Sequence, residues 1–302
     1  MSLELIKDYR DNVMYRRSYN KLAGNVFGID FERWYRLGFW DDRYKCYSFV
    51  DGSEVVSNVS VSMVDLILDG SRFHAVQIGT VMTHSDYKKM GLAEKLMNEV
   101  LKDYKERCDL IFLFSNFQAE GFYRRFPFYT VNETCFYTQL SDIDTVWPDV
   151  AGHQLHGTTR RLNMSDTQDI EIIRRLTSHR IPLSSSFGVD HAEGITAWHC
   201  LNVFPEDTYY IEDLDTIVIY KAGGKTLELF DIVCTDKPDY LKIIGALELG
   251  SVEEIVFRFT PDCSSFLPIK TRPYTAEDYI FFVMSESVRF PGEFFYPDTA
   301  HA

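Results

Sequence analysis

Along the first half of the chain, apolar and polar residues alternate over 47–50 and 55–62, on either side of Asp51 and Gly52. A period of two broken by a turn pair predicts two strands of an antiparallel meander, and beyond Asp69 and Gly70 a third strand is expected at 76–83. Leu92, Ala93, Leu96, Met97, Val100, Leu101 and Tyr104 then recur at helical spacing, with Glu94, Lys95, Glu99 and Lys102 elsewhere on the surface. An amphipathic helix therefore follows the third strand. The run 110–114 is continuously apolar, as in a central strand buried on both faces. A short helix at 119–126 ended by Pro127, and a closing strand at 135–140, complete the first unit.

Between 141 and 157 the pattern lapses into Asp, Pro, Gly and His, which places a domain boundary there and divides the chain into 1–145 and 146–302. Ser165 with Gln168 three residues on makes a capping box for a helix running to about His179. Strands at 216–220 and 227–234 flank Gly223 and Gly224, and a helical stretch at 240–249 and a strand at 254–259 follow. Setting Val81, Met82, Thr83 and His84 over Val233, Cys234, Thr235 and Asp236 aligns strand with strand and helix with helix. The chain thus reads as two copies of one α/β (α+β) fold with mixed, mostly antiparallel sheets, the second diverged.

Composition narrows the function. With 302 residues, 45% of them hydrophobic, both units can build complete cores. Thirty-one basic residues against forty-five acidic give a net charge of −14, which leaves no surplus of cations for nucleic acid and suits a cationic small molecule better. No apolar run approaches the roughly 20 residues of a membrane helix. The N-terminus reaches Lys7, Asp8 and Arg10 with no apolar leader, so a cytoplasmic protein is expected. Six scattered cysteines without a CxxC pair read as reduced, mostly buried thiols. His153 and His156 lie three apart but lack a third ligand, and no metal is expected.

The chemistry concentrates where the third strand empties into the amphipathic helix, from Thr80 through Lys88, Lys89, Met90, Gly91, Leu92, Ala93 and Glu94. Unpaired amides at a helix start, reinforced by the helix dipole, form a site for a pyrophosphate. Gly91 would let a phosphate approach the main chain. The run Lys88 to Ala93 resembles the acyl-CoA pyrophosphate loop of the GNAT superfamily of N-acetyltransferases, (Q/R)xxGx(G/A), with Lys as the first polar residue. A second stretch, from Asn116 through Ala119 and Tyr123 to Phe128, is similar to the family's NxxAxxxYxxxGF block, with Pro127 standing where that block has its glycine. The resemblance covers about residues 4–140, and the tandem layout is similar to the enhanced-intracellular-survival type, whose second domain is a degenerate copy of the first.

The resemblance implies two tandem acyl-CoA N-acyltransferase folds and acetyl-CoA as cosubstrate. It implies that the backbone of Val81, Met82 and Thr83 pairs with the pantetheine arm, that residues 88–94 cradle the pyrophosphate, that Asn116 and Ala119 line the thioester end, and that Tyr123 is the general acid. A phenol of pKa about 10 is a suitable donor to a departing thiolate. Many relatives carry a carboxylate base on the fourth strand, where this chain has Gln77. In the enhanced-intracellular-survival type the C-terminal carboxylate, in a third domain, is thought to help; this chain is expected to be too short for that domain. The base is left open, with His84 and a water chain as candidates. The aromatic, acidic stretch 27–42 is the expected acceptor pocket, with Asp30 and Trp34 as its binding residues. In the second unit, the loop from Asp236 to Tyr240 lacks the glycine and carries two carboxylates, so it is expected to bind no cofactor and to close the acceptor site or form a homo-oligomer interface. The expected activity is acetyl transfer to a primary amine of a small molecule or peptide by direct attack in a ternary complex. The rival is a non-catalytic acyl-CoA or amine sensor.

Overall fold

A computed structural model describes residues 3–146, 159–262, 267–276 and 278–302. The first half contributes β1 (Glu4–Lys7), α1 (Val13–Phe27), α2 (Glu32–Arg36), β2 (Tyr44–Asp51), β3 (Glu54–Leu68), β4 (Ser71–Thr83), α3 (Leu92–Tyr104), β5 (Leu110–Ser115), α4 (Glu120–Tyr123) and β6 (Tyr129–Val131). There follow β7 (Thr134–Gln139), α5 (Leu140–Val146), β8 (Thr159–Arg161), α6 (Thr167–His179), β9 (Phe187–Asp190) and α7 (Glu193–Asn202). The chain continues through β10 (Thr208–Ile211), β11 (Thr216–Gly223), β12 (Thr226–Val233), α8 (Tyr240–Gly245), β13 (Glu254–Phe257), β14 (Lys270–Pro273) and β15 (Ile280–Met284).

These strands form two sheets of the same plan. One runs β1-β2-β3-β4-β5-β15-β6, with β9 added to β3; the other runs β8-β10-β11-β12-β13-β7-β14. In each, an antiparallel meander leads into one parallel pair, β4 with β5 and β12 with β13. The mixed, mostly antiparallel sheets of the sequence reading are present twice.

The sixth place in each sheet is filled from the other half of the chain. The strand expected at 135–140 to close the first unit instead pairs, as β7, with β13 and β14 of the second sheet. The vacant place beside β5 is taken by β15, where Phe282 stands opposite Leu113 and Ile280 opposite Ser115. A cut near residue 145 therefore does not separate the sheets: β7 lies before it and β15 after it, each on the wrong side for its partners. Alternation within 135–140 specifies a strand and a buried face, but both sheets offer such a strand the same apolar neighbours.

Most other elements follow the expected periods with shifted ends. The meander strands run beyond the expected bounds, because pairing continues through 63–68 of β3 and 71–75 of β4. The helix expected at 240–249 stops at Gly245, and the strand at 254–259 stops at Phe257. On α6 the cap is Asp166 rather than Ser165: the Asp166 carboxylate accepts from the amides of Gln168 and Asp169, at 2.7 and 3.4 Å. A carboxylate at this position also complements the helix dipole. Cys46, Cys135, Cys200 and Cys234 are buried free thiols and Cys108 is half-buried; Cys263, His153 and His156 lie outside the described residues.

The halves share core as well as strands. Tyr19, Trp34 and Tyr44 pack in one apolar cluster with Ile173, Cys200 and Ile217. Where this cluster ends, Arg180 makes a two-pronged ion pair with Asp231 on β12, at 2.8 and 2.7 Å, in a setting where Asp231 is wholly buried. Thr299 near the C-terminus also donates to that carboxylate, tying the last residues to the second sheet.

Candidate active site

The parallel pairing of β4 and β5 ends at Ile78 opposite Leu113. Beyond it β4 keeps its bonds to β3 as far as Thr83, while β5 is held by β15, so the two strands part and the edge of Val81, Met82 and Thr83 that faces away from β3 is free of ladder bonds. A bulge marks the parting. Asn58 pairs with Met82 and Ser60 with Gly79, leaving Thr80 and Val81 against the single residue Val59. Thr80 takes a left-handed φ of 47°, unusual for a β-branched residue. Its carbonyl oxygen is held by the amide of buried Asn58 at 2.9 Å, and its hydroxyl lies 2.9 Å from the Tyr44 hydroxyl.

The chain leaves β4 through His84, whose ring Nδ1 accepts from the Asp86 amide at 3.3 Å to start a single 3-10 turn. That contact gives His84 a capping role. Lys88, Lys89, Met90 and Gly91 follow, all exposed, and Gly91 caps α3 with φ 71° and no side-chain bond to the first-turn amides. A Cβ on Gly91 would meet nothing within 4 Å, so the side of the helix start at Gly91 is open. The Glu94 side chain is turned away, onto Arg125 at 2.9 Å. Bare amides, the positive end of a helix of 13 residues and two flanking lysines fit a pyrophosphate.

At the far end of β5, Asn116 accepts from the amide of Ala119 at 2.9 Å and so turns the chain into α4. The cap uses its Oδ1, and the residue is exposed. Tyr123, at the end of α4, is buried against Phe282 on the α3 side of the first sheet, with ring centroids 5.9 Å apart. Burial raises its phenol pKa, and among the described residues its hydroxyl has no hydrogen-bond partner. A protonated, unpartnered hydroxyl is free to donate. Gln77 on β4 is fully buried with both amide atoms unpaired, beside Ser62, whose hydroxyl is also unpaired; a carboxamide there supplies no base.

On the other face, a cavity of about 310 Å³ opens beside the bulge. Its lining comes from Phe31 and Trp34 of the α1–α2 region, from Tyr44 and Thr80 beside the bulge, and from Ile195 and Trp198 of α7, with Phe31 and Trp198 stacked at 6.0 Å. Trp34 lines this cavity, fixed by its indole N–H donating to the carbonyl of Gly194 at 2.8 Å. Asp30 is not among the lining residues: it is exposed, and its carboxylate accepts from the Glu32 amide at 2.6 Å to start α2. The expected acidic edge therefore lies outside the cavity. His301 and Ala302 complete the lining, and sequence reasoning passed them over. His301 stacks on Phe114 with centroids 3.8 Å apart, and the Ala302 main chain lies so near Gly79 that a Cβ there would be 2.7 Å from its carbonyl oxygen. The dense aromatics Phe290, Phe294, Phe295 and Tyr296 were the available signal that the segment packs inward.

In the second sheet the equivalent loop offers no such cradle. α8 has six residues, and Asp239 caps it by accepting from the Lys242 amide at 3.2 Å. A carboxylate occupies the place that a phosphate would need.

Comparison with known proteins bears on the first unit. Residues 15–131 match the sequence profile described as an acetyltransferase (GNAT) domain. No curated protein matches by sequence. Among solved structures, a probable N-acyltransferase from Enterococcus faecalis V583 is similar at TM-score 0.58 and 21% identity, over 94% of this chain and 72% of its own. Eis1 from Mycobacterium abscessus is similar at TM-score 0.56 and 15% identity, over 93% and 72%. A GCN5-related N-acetyltransferase from Kribbella flavida is similar at 0.54 and 16%, over 93% and 71%. At such identities the likeness is one of fold.

Proposed function

We propose that this chain, which carries a GNAT acetyltransferase domain over residues 15–131, moves an acetyl group from acetyl-CoA to a primary amine by direct attack in a ternary complex. The observation that supports this reading is the presence of three features in one unit: a free strand edge at 81–83, an uncapped helix start behind Gly91, and a Tyr123 hydroxyl unpartnered among the described residues, with Val81 and Tyr123 in the same apolar cluster.

Acetyl-CoA, when bound, supplies the acetyl group already activated as a thioester. The amides of residues 91–94, with Lys88 and Lys89, hold its pyrophosphate, and the edge of β4 from Val81 to Thr83 takes the pantetheine amides in the manner of an added strand. The acceptor nitrogen forms the amide bond as the carbon–sulfur bond breaks. Nitrogen loses one proton, sulfur gains one from Tyr123, and the phenol is restored from solvent. An amine of pKa about 10.4 is mostly charged at neutral pH, so its proton must be taken before attack. The amine gives up that proton to solvent on entering the apolar cavity, where burial keeps the neighbouring His301 imidazole neutral.

The test is calorimetric titration of acetyl-CoA into the wild type and Gly91→Glu, followed by free-CoA release with a panel of amines. Saturable one-site binding lost in the variant, with amine-dependent release in the wild type, is expected. Absence of binding by the wild type would sink the reading.

A further inference from the structure

The cavity beside the bulge also says what sort of amine fits. Its walls are Phe31, Trp34, Ile195 and Trp198, with Phe27 and Ile29 at the mouth. Among the described residues no carboxylate side chain lines it, although the chain as a whole carries a charge of −14. A polycation would be drawn to the outer surface and, among the described lining residues, would meet no acidic side chain inside, but the hydroxyls of Tyr44 and Thr80, the His301 ring and the Ala302 main chain. The polar lining includes the hydroxyls of Thr80, which lies in the bulge, and Tyr44, 2.9 Å apart, and the His301 ring. Two nitrogens of the lining residues, Trp198 Nε1 and His301 Nε2, are buried without a partner among the described residues.

Resting on the acetyl-transfer reading, we propose that the acceptor is a small primary amine carried on one aromatic or branched apolar group. The apolar body lies between Trp34 and Trp198, and the amine points at the bulge, where the thioester carbonyl would stand. Ring against ring suits this body: Phe31 already stacks with Trp198 at 6.0 Å and Trp34 meets Tyr44 edge-on at 5.2 Å. The volume admits a molecule with a single ring and a short arm. Burial among such walls favours the uncharged form of the amine, the form that attacks. The second unit takes part through Ile195 and Trp198, so the half without a phosphate cradle shapes specificity instead.

The experiment uses the full chain. 2-Phenylethylamine, isoamylamine and spermidine are compared by free-CoA release at fixed acetyl-CoA, and each is titrated separately against tryptophan fluorescence without acetyl-CoA. We expect kcat/KM for 2-phenylethylamine to exceed that for spermidine by about 100-fold, the scale of one well-buried aromatic contact. Trp198→Ala should raise KM for 2-phenylethylamine about 10-fold or more while leaving the acetyl-CoA titration unchanged. Trp198→Phe should recover most of the loss, which separates lost contact from lost fold. Equal or better turnover of spermidine overturns the proposal. So does a preference for octanoyl-CoA over acetyl-CoA that Trp198→Ala abolishes, because the cavity would then hold an acyl chain. Failure to bind acetyl-CoA, with 2-phenylethylamine still quenching the wild type but not Trp198→Ala, would remove the transfer reaction and leave the amine site standing; loss of both signals removes both.

Discussion

The side-chain amide of Asn58 donates to the carbonyl oxygen of Thr80 at 2.9 Å, across the bulge where β4 leaves β5. The same amide group donates to Ser60, and the Asn58 oxygen accepts from the Ser48 hydroxyl at 2.8 Å, which itself lies 2.6 Å from the Tyr9 hydroxyl. A left-handed Thr persists only where its surroundings over-determine it, and this buried network does so. Asn58→Ala should therefore lower stability by about 1–3 kcal/mol, the cost of stranding buried partners. It should also weaken acetyl-CoA binding, because the free edge at 81–83 starts from the bulge. Urea unfolding and calorimetric titration measure the two effects; unchanged affinity in a destabilised variant would detach the bulge from the cosubstrate.

Tyr123 is expected to act on turnover alone. Tyr123→Phe keeps the ring against Phe282 and removes the proton, so kcat should fall about 100-fold or more with the acetyl-CoA dissociation constant unchanged. Because burial raises the phenol pKa, Tyr123 stays protonated as the solution becomes alkaline. No fall in rate assignable to this group should occur below about pH 10. A Tyr123→Phe enzyme with wild-type kcat would mean that another group protonates the sulfur.

The Arg180–Asp231 pair makes a different claim. Asp231 is fully buried and also accepts from Thr299, so removing the guanidinium strands a charge and loosens the C-terminal segment together. Arg180→Met should cost about 3–5 kcal/mol in thermal or urea unfolding. The double variant Arg180→Met with Asp231→Leu should regain much of that loss, since the stranded charge is the larger part of it.

Glu133 supplies a pH dependence with a definite sign. Burial raises its carboxyl from 4.5 to about 7, although Tyr279 donates to it at 2.6 Å and the Tyr296 amide at 2.8 Å. The folded state therefore binds a proton more tightly than the unfolded chain. This contribution to stability is fully present below about pH 4.5 and is lost as pH rises through about 7. Wild-type stability should fall by roughly 3 kcal/mol between pH 4.5 and 8 on account of this group, and Glu133→Gln should flatten that part of the curve. An unaltered pH profile in the variant would place the dependence elsewhere.

How far the sequence led can be judged from particular residues. The meander and α3 were legible because each buries one face, and a face leaves a period. The glycine-capped start of α3 was legible because Gly91 and the two lysines precede an amphipathic run at a fixed distance. Trp34 lines the cavity, while Asp30, four residues before it, is exposed and caps α2: nearness along the chain does not say whether a carboxylate faces a cavity or the nearest free amide. Partner choice left no local trace, which is why 135–140 was assigned to the wrong sheet. His301 and Ala302 act through a segment with no period at all.

The reciprocal placement of β7 and β15 also sets an order of events during synthesis. When residue 140 has left the ribosome, the first sheet still lacks the strand beside β5, and that edge, with Leu113 and Phe114 on it, must wait until residue 284 has emerged. Until then the nascent chain presents an open apolar strand edge of the kind that invites mispairing. A fragment ending near residue 145 would keep that defect permanently, so the two halves are joined less as beads on a string than as a clasp that closes only when its last strand arrives.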